Sequence, residues 1–127
     1  MNMGIPIRIQ AGSIALDAEL HETPTAMAIE RVLPIEAEAA TWGEEIYFSI
    51  PVAQELDETA KEVVQVGDLG YWPRGKAFCI FFGPTPMSRG DEIRPASAVN
   101  IVGRVLGDAT RLRSVQDGEL VRIDRKP

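Results

Sequence analysis

The residues best placed to do chemistry lie between Tyr47 and Phe82. Tyr71, Trp72, Phe78 and Phe82 flank a turn, Pro73-Arg74-Gly75-Lys76, that sets two cations beside an aromatic run. A small-ligand site is usually an apolar pocket rimmed by a few polar groups. On that pattern Tyr47, Tyr71, Trp72, Arg74, Phe78 and Phe82 are the candidate ligand contacts. Arg74 or Lys76 would anchor a carboxylate or phosphate, although such residues more often just solvate a turn. Tyr71 and Trp72 are adjacent, so on a strand they face opposite sides and at most one enters a given cavity. The eight aromatic residues (Trp 2, Tyr 2, Phe 4) all fall in the central third, which equally describes an aromatic core.

Other chemistries find less support. Glu44-Glu45 would form a general acid–base pair only with one carboxylate buried and its pKa raised, and adjacent strand residues diverge. The carboxylates Glu36, Glu38, Glu44, Glu45, Glu55, Asp57, Glu58 and Glu62 face only Lys61 in the same stretch. They read as a solvated face; a functional version would attract a basic peptide or a cation. One histidine, His21, and one cysteine, Cys79, stand far apart, with no CxxC or HExxH spacing, so no metal site is expected. A hydrolytic triad would have to use His21 and lacks a nucleophile-elbow sequence. Gly67, Gly70 and Gly75 do not make a GxGxxG spacing, and no cofactor is implied. Catalytic residues are therefore unknown at this level. Cys79 lies in an apolar run and reads as a buried, inert thiol.

The elements that must position these residues are short. At 127 residues the chain is expected to form one domain, 1–127. A net charge of −6 argues against nucleic acid as a partner. The apolar runs are too short to span a bilayer. Met1-Asn2-Met3-Gly4 carries no signal-peptide pattern, and a single cysteine suits a reducing cytoplasm. Ile5, Ile7 and Ile9 alternate with Pro6, Arg8 and Gln10, which predicts a strand at an edge or starting at Pro6. After the Ala11-Gly12-Ser13 turn, Ile14, Leu16, Ala18 and Leu20 complete a hairpin.

Thr23 as N-cap and Pro24 at the first position open one helix, with Ile29, Val32 and Leu33 as its apolar stripe and Pro34 as its stop. Strands resume at Ile35 to Ala39 and, after a Trp42-Gly43 turn, at Ile46 to Ile50. Residues 54–62 read as an acidic loop or a single helical turn. Two strands flank the 73–76 turn, and Ala98 to Leu106 forms another, interrupted by Gly103. A short helix over Ala109 to Arg113 and a turn at Gln116-Asp117-Gly118 precede the closing strand at Leu120, Val121 and Ile123. Seven or eight short strands with one firm helix make an all-β barrel or sandwich.

Three stretches together resemble the cyclophilin-like fold, in its small prokaryotic branch of uncharacterised proteins. They are Trp42-Gly43-Glu44-Glu45-Ile46-Tyr47-Phe48-Ser49-Ile50-Pro51, Gly67 to Pro86, and Val99-Asn100-Ile101-Val102-Gly103-Arg104-Val105-Leu106-Gly107-Asp108. The resemblance implies a closed eight-stranded barrel with one or two short helices covering its ends. It also raises prolyl isomerisation, for which the family uses an arginine on the strand after the first helix. No arginine occurs here between Arg31 and Arg74, and the family's histidine falls near Val99. The family's aromatic lining would correspond to Phe78, Phe81 or Phe82. The expectation is a barrel that binds a small molecule or short peptide without that isomerase activity. The alternatives are a divergent isomerase using Arg74 from the loop side, or a structural module forming a homodimer.

Overall fold

The computed structural model describes residues 4–127; Met1-Asn2-Met3, part of the stretch lacking a signal-peptide pattern, lie outside them. Alternating side chains build the first hairpin. Strands β1 (Ile5–Ala11) and β2 (Ile14–Leu20) pair with Ile7 opposite Ala18 and Ile9 opposite Leu16, all buried. Strand β1 is internal rather than an edge. Pro6 is accommodated at its start, before pairing with the last strand begins at Ile7 opposite Arg125.

Helix α1 (Pro24–Arg31) begins where the sequence places it. The Thr23 hydroxyl accepts from the Ala26 N–H at 3.2 Å, and Pro24 occupies the first turn, where no N–H is needed. Its Ala26 and Ile29 enter the main core, and it packs on β2 and the ninth strand.

Strands β3 (Ile35–Glu38) and β4 (Ala40–Thr41) are two parts of one extended run interrupted at Ala39. The remaining strands are β5 (Glu45–Ser49), β6 (Ala60–Lys61), β7 (Asp68–Trp72), β8 (Ala77–Phe81), β9 (Val99–Val105) and β10 (Leu120–Arg125). The antiparallel order is β3-β10-β1-β2-β9-β7-β8-β5-β4, with β6 pairing only to β9. Because β3 pairs with β10 and β4 with β5, this run closes the sheet on itself. Counted with β3 and β4 as one, eight strands ring the barrel, as the resemblance implies. Residues 54–62 form a loop with the short β6, and the second helical segment is a 3-10 stretch, Ala109–Ser114.

Strand β9 runs unbroken through Gly103. A Cβ there would lie 2.1 Å from the Glu19 carbonyl oxygen, so only glycine permits this approach of β9 to β2.

The barrel has apolar packing on both sides of its wall. Ile46, Phe48, Leu69, Tyr71, Phe78, Ile80, Phe82 and Val102 point inward with the hairpin and helix residues. Ala77, Cys79, Phe81 and Val99 point outward and pack with Val64 and Ile93 under the long 82–98 connection. All five residues of β8 are buried for that reason: the strand is covered on both faces. No helix among the described residues is long and apolar enough to cross a membrane.

Candidate functional site

The outer face of β5, β7, β8 and β9 carries a cavity of roughly 220 Å³, lined by Trp42, Glu45, Tyr47, Trp72, Cys79, Pro95, Ala96 and Val99. Strand alternation selects the floor. Tyr47 lies opposite Cys79 and Glu45 opposite Phe81, so Glu45, Tyr47 and Cys79 all leave the barrel on the same side. The alternate positions, Ile46 and Phe48, go to the interior, where Phe48 stacks on Phe78 with centroids 5.6 Å apart.

The roof is the 82–98 connection, held by its own polar groups. Ser88 Oγ accepts from the backbone N–H of Thr85 at 2.9 Å and of Arg94 at 3.1 Å, and the Thr85 hydroxyl donates to the Arg94 carbonyl. Val64 N–H donates to the Ile93 carbonyl, tying the connection to the segment before β7. Pro95 and Ala96 are thereby set over the cavity.

Both tryptophans are placed by turns. Trp42 begins the turn into β5, with its N–H donating to the Glu45 carbonyl at 3.0 Å. Gly43 adopts φ 60° there, and a Cβ would strike Thr85 Cα at 2.8 Å. Trp72 ends β7. Its indole Nε1–H donates to Ser97 Oγ at 2.6 Å, and Gly75 of the following 3-10 turn (Pro73–Gly75) lies against its six-membered ring. A side chain at Gly75 would meet that ring at 2.8 Å.

Glu45 is the chemically unusual member. It is only 5% exposed, and burial pushes its carboxyl from an ordinary 4.5 up to about 7, with the neighbouring Cys79 thiol acting the other way. Burial, reinforced by the neighbouring Glu45, raises the Cys79 thiol well above its usual range. No arginine, lysine or histidine lines the cavity. Glu44, one residue away, turns outward to Arg113. The two carboxylates therefore diverge and do not act as a pair.

The six ligand-contact candidates separate cleanly in space. Tyr47 and Trp72 line the cavity. Tyr71 is fully buried in the barrel, its hydroxyl donating to the Val52 carbonyl at 2.5 Å, and Phe78 and Phe82 are interior packing residues. Arg74 is exposed on the 3-10 turn and is not part of the cavity wall. Phe81 packs in the outer cluster beside Cys79. Trp42, Glu45, Cys79, Pro95, Ala96 and Val99 were outside the sequence candidates. One signal for them was present: the unbroken apolar run Ala77 to Phe82 marks a strand with two covered faces, and Glu45 shares the outward parity of Tyr47.

A second polar cluster holds the acidic loop to the barrel. Asn100, fully buried, donates to Thr25 Oγ1 at 3.1 Å and to the Glu55 carbonyl at 2.9 Å, and accepts from Asp57 N–H at 2.8 Å. Asp57 accepts in turn from Thr25 and from Thr59. Every member has its partners, which is the signature of a structural knot. Among the described residues no three His, Cys, Asp or Glu side chains converge to hold a metal ion.

A family model described as cyclophilin-like matches residues 5–124. The chain is also similar to a hypothetical protein from Archaeoglobus fulgidus whose structure was solved in solution. That likeness has 44% identity and a TM-score of 0.82, and covers 99% of this chain and 98% of the other. No curated protein matches.

Proposed function

The chain belongs to the cyclophilin-like family, and on that premise we propose that it is a binding protein for a small molecule or short peptide segment, without cyclophilin-type isomerase activity. The observation that carries this reading is the outer-face cavity, with aromatic walls, a buried carboxyl and a roof held by hydrogen bonds. Such a concave apolar site with few polar groups is the ordinary architecture for small-ligand recognition. Trp72 and Tyr47 are its principal contacts.

Isomerisation in the family's manner calls for a guanidinium that donates to the substrate carbonyl and stabilises the twisted amide. The cavity offers a carboxyl in place of a cation, and Arg74 stands outside it. Assaying prolyl isomerisation over a panel of Xaa-Pro peptides, for the parent and Arg74→Ala, tests the reading. We expect no acceleration from either protein. Activity in the parent that disappears in Arg74→Ala would replace this reading with a relocated catalytic arginine.

A further inference from the structure

We propose that the outer-face cavity takes a small organic ammonium ion, with Glu45 as its counter-charge and Trp42, Tyr47 and Trp72 as its walls. This rests on the reading of the cavity as a ligand site and names the ligand's chemistry.

The argument begins with an unbalanced charge. An ionised carboxylate out of water is costly unless a cation or several donors compensate it. Glu45 has neither in full: its depth is the main influence on it, and the only side chain acting against that is the Cys79 thiol, a weak donor. The groups around it are accounted for. Cys79 faces it from β8, Tyr47 lies two residues along β5, and Glu44 is turned away to Arg113. From the roof, the Arg94 guanidinium meets Glu92 at 3.1 Å and Glu62 at 3.9 Å through its terminal nitrogens, while its Nε is buried without a partner among the described residues. The described residues thus bring no cation to this carboxyl, and a ligand that brings one gains an attraction in a low-dielectric site.

The walls narrow the class of cation. A divalent metal ion needs several oxygen ligands at fixed geometry, and here a single carboxyl and one phenol stand among carbon surfaces. An alkylated ammonium is weakly hydrated, buries its methyl groups against apolar walls and is attracted by tryptophan and tyrosine rings. Anionic ligands would meet the Glu45 charge. A neutral apolar ligand would leave that carboxyl unpaired. A half-open cavity of roughly 220 Å³ has room for one headgroup rather than a length of chain.

Choline, tetramethylammonium and the uncharged carbon isostere 3,3-dimethylbutan-1-ol are the probes, titrated at pH 6 and pH 8. The two indole N–H resonances and the intrinsic fluorescence report directly, because both tryptophans of the chain line the cavity. Choline is expected to bind about tenfold tighter than its isostere. Its affinity should rise about tenfold from pH 6 to pH 8 as Glu45 ionises, since neither probe cation titrates. Glu45→Gln, which keeps size and hydrogen-bonding capacity, should abolish the pH dependence and reduce the preference to what the aromatic walls supply.

Equal binding of choline and its isostere, unchanged in Glu45→Gln, would overturn the ammonium assignment and leave a ligand cavity standing. A trimethyllysine peptide binding more than about tenfold tighter than choline would overturn the free small-molecule assignment. If no cation moves the indole signals, the ammonium assignment fails; if neutral fragments and Xaa-Pro peptides also leave them unmoved, the cavity reading fails with it.

Discussion

At the scale of single residues, Glu45 ties stability to pH in an unusual direction. Its folded pKa, about 7, stands above the ordinary 4.5, so between those values the folded chain holds more of this proton than the unfolded chain. Stability from this group is full below pH 4.5, falls as pH rises through that window and levels above 7. The difference corresponds to roughly 3 kcal/mol. Urea denaturation should therefore find Glu45→Gln gaining about that much on the parent between pH 4 and pH 8; an equal margin at both pH values would contradict it. Cys79, buried and with its thiol held protonated, should resist thiol reagents in the native protein at pH 8 and react once denatured. The sequence exposes Cys79 plainly, because it sits in an apolar run. It hides Glu45, because an outward polar residue on a strand normally meets water. Here outward means toward a roof that arrives some forty residues later, and that packing is invisible to local alternation.

Elements fix what those residues can do. The Asn100 cluster joins α1, the 53–59 loop and β9 through hydrogen bonds that have no replacement if the amide is removed. Asn100→Ala should cost about 2–4 kcal/mol, read as a lower urea midpoint. Asp57 in the same cluster is pushed up by burial but held below its ordinary value by the Thr59 and Thr25 hydrogen bonds together. Its contribution is thus present above the unfolded pKa and lost as pH falls through the folded one, which adds to acid instability. Gly75→Ala would drive a methyl into the Trp72 ring. We expect it to weaken ligand binding more than stability, the latter by about 1 kcal/mol. The start of helix α1 and the alternation of the first hairpin were legible, since both are local signals. The helix ends at Arg31, however, short of Val32 and Leu33, and Ala11 belongs to β1 rather than to the turn. The 54–62 loop was legible only as polar, because what orders it is Asn100, forty-three residues from Asp57.

For the whole molecule, closure of the barrel depends on one two-part run, β3 and β4. Ala39 lets β3 and β4 serve two different neighbours, and its N–H is satisfied by the Glu119 carbonyl at 2.8 Å. Read along the sequence, Ala39 is simply the next alternating residue, so closure came from the family resemblance and not from periodicity. The same closed wall explains why the aromatic third divides as it does: Tyr71, Phe78 and Phe82 fill the inside while Tyr47 and Trp72 serve the outside. Gly103→Ala, which places a methyl against the Glu19 carbonyl, should strain the wall itself and cost about 3 kcal/mol or more in thermal or urea unfolding. The most direct test of the account follows both indole N–H signals while neutral fragments, organic cations and Xaa-Pro peptides are titrated into parent and Trp72→Ala. The account predicts that a binder shifts both indoles with the Tyr47 and Cys79 amides, and loses at least about tenfold in affinity for Trp72→Ala. Ligands that shift residues elsewhere, or that bind Trp72→Ala unchanged, would contradict it.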